Sequence, residues 1–67
     1  MKVHIEWQDQ FGRWQHYTTK HHHPDAYRTA VYRAKNTNKR HRLVDDSGNL
    51  LDLVDTKLGG GMGWTHP

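Results

Sequence analysis

Three consecutive histidines, His21, His22 and His23, stand just ahead of Asp25 in the stretch TTKHHHPDAY. Imidazole and carboxylate groups are the ligands of borderline metal ions. A specific zinc site, however, takes about four ligands that converge from spaced positions. Consecutive loop residues point apart, and no second cluster in the chain supplies the remaining ligands. The three histidines are therefore weak candidates for a metal or pH response, which is kept as the weaker alternative function, and neither a bound metal nor any other cofactor is expected.

The other chemistry-bearing patterns are thinner. The chain has no cysteine, so it has neither a thiolate nucleophile nor a disulfide. It lacks G-x-S-x-G, H-E-x-x-H and the phosphate-cradling G-x-x-x-x-G-K-[ST]. The glycine run GGGMG has no lysine after it and no strand before it. Asp45 and Asp46 are adjacent carboxylates, but they sit in the turn DDSG, where aspartate serves the backbone. Catalysis is not expected.

Charge is the stronger signal. The formal net charge is +3, unevenly spread. Residues 1–18 sum to zero, residues 19–42 to +6 and residues 43–67 to −3. Arg28, Arg33, Lys35, Lys39, Arg40 and Arg42 form the basic segment, with Lys20 and the histidines at its near edge. Cations in this density contact phosphate without reading sequence. Trp14 and His16 could stack on bases if they lie on an exposed surface. The expectation is a small non-catalytic binding module that contacts nucleic acid through residues 20–42 and an aromatic sheet face. The alternative is a small regulatory protein, of phage type, that inhibits or redirects a larger host protein. That surface would use Trp14, Val44, Leu50 and Trp64, since tryptophan and arginine are enriched where proteins meet. The basic segment would then dock on an acidic protein patch. Self-association through an open sheet face or an edge strand belongs to the same class.

The elements that position these residues follow from periodicity. KVHIEWQ alternates strictly, with Val3, Ile5 and Trp7 on one side. DQFG is a turn, and RWQHYTT is a second strand. A three-residue loop of Gln10, Phe11 and Gly12 pairs Trp7 with Gln15 and Ile5 with Tyr17. Tyr17 then joins the core, while Trp14 and His16 fall on the opposite face. A helix follows, started by Pro24 and Asp25 and stopped at NTN. Its apolar stripe is Ala26, Tyr27, Ala30, Val31 and Ala34, with Arg28, Thr29, Arg33 and Lys35 outward.

RHRLVDDSGNLLDLVD is a second hairpin, whose DDSG repeats the D-x-x-G form 36 residues after DQFG. Its loop of Asp46, Ser47 and Gly48 places Leu43, Leu51 and Leu53 on one side. Arg40, Arg42, Val44, Leu50 and Asp52 take the other. The predicted fold is α+β, in the order β-β-α-β-β: one helix on one face of a four-stranded, mostly antiparallel sheet. The compact domain is expected over residues 1–58, with a flexible glycine-rich tail over 59–67. No apolar run approaches the roughly 18–20 residues of a membrane span. The N-terminus lacks the apolar core of a signal peptide. A cytoplasmic protein is the expectation.

Overall fold

The computed structural model describes residues 1–55. The expected boundary after residue 58 and the tail, with Trp64, lie outside the described residues. The chain folds in the predicted order: β1 (Val3–Gln8), β2 (Trp14–Lys20), α1 (His23–Thr37), β3 (His41–Val44) and β4 (Leu50–Val54). The strands form one antiparallel sheet in the order β2-β1-β3-β4. Each hairpin keeps its own two strands together, and β1 and β3 meet at the centre.

Both turns are built the same way. Asp9 Oδ1 accepts the backbone N–H groups of Phe11 and Arg13, each at 2.9 Å. Asp45 Oδ1 accepts those of Ser47 at 2.8 Å and Asn49 at 2.9 Å. Gly12 and Gly48 follow at φ +82° and +84°, a conformation that a side chain disfavours. The predicted three-residue loops are present in both hairpins, with Asp9 bonded to Arg13 and Asp45 to Asn49.

Away from the turns each hairpin slips by one residue. Glu6 faces His16 but Ile5 faces Thr18, which leaves Tyr17 as the extra residue of a bulge. Val44 faces Leu50 but Leu43 faces Asp52, which leaves Leu51 extra. A bulge sets two successive residues against one partner residue and locally shifts the alternation. The second bulge corrects two expectations and brings a further residue into the core. Leu53 lies across from Arg42 and is 48% exposed, rather than in the core. Asp52 lies on the helix side, where its carboxylate meets His23. Val54 takes the buried position across from His41.

Helix α1 lies over the Val3–Ile5–Leu43 side of the sheet. Ala26, Ala30 and Ala34 recur every four residues and are all buried, so a stripe of methyl groups lets the helix approach closely. With Val3, Ile5, Leu43 and Val54 they form the core; Val31 and Leu51 pack at its margin. Tyr27, expected in the stripe, is 44% exposed because it sits past the edge of this narrow seam. Asn38 closes the helix in the left-handed conformation, φ 57°, its N–H bonded to the Ala34 carbonyl at 2.8 Å.

Candidate interaction surfaces

The face of the sheet turned away from α1 is set by cross-strand pairing. Its side chains form three ranks across the strands. Thr19, His4, Val44 and Leu50 form the first; His16, Glu6, Arg42 and Leu53 the second; Trp14 and Gln8 begin the third. The structure thus brings Trp14, His16, Arg42, Val44 and Leu50 onto one face, as the pairing of the turns predicts. Leu53 is the addition that sequence reasoning missed, and only the second bulge puts it there.

The second rank holds a charge-assisted contact. Arg42 Nε donates to Glu6 Oε1 at 2.7 Å, with both side chains half-buried. The Arg42 guanidinium also lies 4.4 Å from the centre of the Trp14 ring. A planar cation on an indole is favourable, and here the Glu6 carboxylate holds that cation in place. Leu50 and Leu53 stand 59% and 48% exposed beside a nearly buried Val44.

A hydrogen-bonded chain borders this face. His4 Nε2 meets Asp46 Oδ1 at 2.7 Å, and a carboxylate only accepts, so this nitrogen carries the proton. In the neutral ring His4 Nδ1 then accepts from the Thr19 hydroxyl at 2.9 Å. Thr19 Oγ1 in turn accepts from His16 Nε2 at 3.1 Å. The chain ties the second turn to β1 and β2, and occupies the imidazole that was expected to stack on a base.

Four further cations of the basic segment lie against carboxylates or rings. Arg40 pairs with Asp55 at 2.9 Å, and Arg28 pairs with Asp25 one helical turn away. The Arg33 guanidinium lies 3.8 Å from the centre of the Tyr17 ring, and Lys39 Nζ lies 5.9 Å from that of Trp7. Arg33 therefore does not face straight out: it folds down to the first bulge, and its Nε is buried without a hydrogen-bond partner. Tyr17, predicted for the core, is 43% exposed at the sheet edge beneath this arginine. Lys35 lines a shallow groove on the outer face of α1 with Tyr27, Arg28, Val31 and Tyr32.

The histidine run separates. His21 and His22 are exposed at the start of the helix, and His22 is its N-cap residue without a side-chain capping bond. His23 is half-buried against Asp52. Among the described residues, no group of three or more histidine or acidic side chains is placed to share a metal ion. None of the described helices is long and apolar enough to cross a membrane.

His41 is fully buried on the helix side of β3, where strand alternation sets it beside Leu43. Its Nδ1 donates to the Lys39 carbonyl at 2.9 Å, and its Nε2 has no partner. Burial pushes its pKa below 6.5, partly offset by the Lys39 carbonyl and reinforced by the Arg33 charge.

Comparison with protein families, with characterised proteins and with solved structures finds no match for this chain.

Proposed function

We propose that the protein is a non-catalytic recognition module that binds a protein surface through the open face of its sheet. Trp14, Leu50 and Leu53 supply the apolar contacts around the buried Val44, and Arg42 the polar centre. The observation that carries this reading is the internal use of the basic segment. Arg28, Arg40 and Arg42 are matched by Asp25, Asp55 and Glu6 of the same chain. A phosphate backbone would have to compete with these carboxylates. A protein surface needs no such exchange, because an arginine held between a tryptophan and a glutamate is already a neutralised, ordered contact. Protein interfaces concentrate tryptophan and arginine at their energetic centres.

A photo-crosslinking side chain at Leu50, compared with one at Tyr32 on the outer helix face, tests the assignment in cells. A discrete product from position 50 that disappears with Trp14→Lys is expected. Equal products from both positions, indifferent to Trp14→Lys, would refute the open face as the binding surface.

A second reading has its own support in the stacks Arg33 on Tyr17 and Lys39 on Trp7. Among the described residues no ion pair opposes these cations, and they would suit a single-stranded nucleic acid. Oligonucleotide binding that weakens steeply with salt and is lost with Arg33→Gln but kept with Arg42→Gln would favour it over the first.

A further inference from the structure

We infer that the partner of the open face is a second copy of this chain, and that the two sheets stack face to face with their strands crossing at about 90°. The inference rests on the open-face reading and gives it an occupant.

The placement of two residues carries it. Trp14 is the first residue of β2 and Leu50 the first residue of β4, and they stand 36 residues apart, the interval between the two turns. Trp14 pairs with Gln8 on one outer strand, and Leu50 with Val44 on the other. They mark opposite corners of the face. A twofold axis lying in the face, perpendicular to the line between them, sets Trp14 of each copy over Leu50 of the other. Such a contact is isologous and closed.

The crossing angle follows from sheet dimensions. The two corners are three strand spacings apart across the sheet, about 14 Å, and four residues apart along β1, about 13 Å. The diagonal therefore runs at about 45° to the strands. Rotation about an axis perpendicular to it turns the second sheet by about 90°, which is one of the two ways sheets pack.

The midpoint of the diagonal is the cross-strand pair Glu6 and Arg42. At the axis the pair meets its own symmetry mate, two carboxylates with two guanidinium groups, so the buried charges sum to zero. Each pair is already bonded at 2.7 Å within its own chain, so association leaves no charge uncompensated.

Size and stability favour the same occupant. Four strands and three ranks give a face of roughly 19 by 17 Å. With side-chain relief, that approaches the ~600 Å² per partner at which specific interfaces begin. Three of the seven core residues are alanines. In a domain this small the core supplies only about 3–5 kcal/mol, and oligomerisation is a standard supplement. Strand addition is the competing route, but both outer strands are interrupted by bulges, which obstruct pairing along an edge.

Sedimentation equilibrium on the purified full chain, up to about 0.5 mM, tests the pairing. Twice the monomer mass is expected, with association weakened at least about tenfold by Trp14→Lys or by Leu50→Glu alone. Both side chains lie on the open face, and circular dichroism matching wild type will show that the variants fold. An equimolar mixture of the two variants should regain the doubled mass, because lysine at 14 then faces glutamate at 50. In wild type, mixed labelled and unlabelled chains should show magnetisation transfer between the Trp14 indole and the Leu50 methyls of the other copy. A dimer indifferent to both substitutions, or one without that transfer, overturns the geometry. A chain that stays monomeric while Leu50 crosslinks to a different protein overturns the self-pairing and leaves the open-face reading standing.

Discussion

Stability should fall on mild acidification because of His41, and replacing that one residue should remove the effect. The unfolded chain binds a proton at this imidazole near 6.5. The folded chain does not, since its ring is fully buried, its Nε2 has no acceptor and Arg33 adds positive charge nearby. Between 6.5 and the lower folded value, the unfolded state therefore holds more protons. Stability is complete above 6.5 and declines as pH falls through that window, by at most ~1.4 kcal/mol per pH unit. For a domain of this size, that is about 5–10 °C in Tm per pH unit. The assay is thermal unfolding followed by circular dichroism, from about pH 8 to about pH 5, for wild type and His41→Leu. Leucine has comparable bulk and removes both the titration and the unpartnered nitrogen. The difference between the two proteins should be constant above about pH 7 and should then grow in favour of the variant. Asp9 and Asp45 act in a separate window. Gln15 and the Arg13 N–H lower the first carboxyl below 3.8, and the Asn49 backbone and side-chain amides lower the second. Their contribution is present above 3.8 and is lost as pH falls through their folded values, in both proteins alike. Parallel Tm curves for wild type and variant throughout the upper window would refute the account of His41.

Two further outcomes follow from the backbone and the core. Gly48→Ala should cost about 1 kcal/mol, measured as a lower urea midpoint with unchanged slope. The space around its Cβ position is open, so φ +84° is the sole source of the penalty, and a neutral result would remove that argument. Ala30→Leu should destabilise by about 1–3 kcal/mol, because this buried methyl sits in the middle of the helix–sheet seam. A calorimetric scan showing equal or higher Tm would mean that the seam has room for the larger side chain.

The order of elements and both turns were legible in the sequence because they rest on local chemistry. Asp9 and Asp45 serve the backbone within four residues, and Gly12 and Gly48 take conformations that few residues share. The alanine stripe was legible for the same reason, as a period of four. The bulges were not. A single extra residue changes the face of everything beyond it, and the energy that selects it is spread over side chains from other elements. Arg33 over Tyr17 is one such contact, and the fit of Leu51 at the core margin is another. That is why Leu53 and Asp52 exchanged sides while Val44 and Leu50, nearer the turn, did not. The candidate surface was legible in its residue types but not in its charge. Arg42 reads as a free cation until Glu6 is known to face it, 36 residues earlier in the chain. His41 reads as surface charge from its basic neighbours, although alternation with Leu43 already pointed inward.

The strand order has a kinetic side. Every outer pairing joins strands connected by three loop residues, and such hairpins close in about 1–10 μs. The helix forms faster still from its own sequence. Among the ladders of the described sheet, that of β1 and β3 alone joins distant parts of the chain, and it spans the whole helix. Folding is then the meeting of two ready-made halves. The rate should depend on the residues of that one seam, Ile5, Leu43 and the alanines above them, and hardly at all on the turns at its ends.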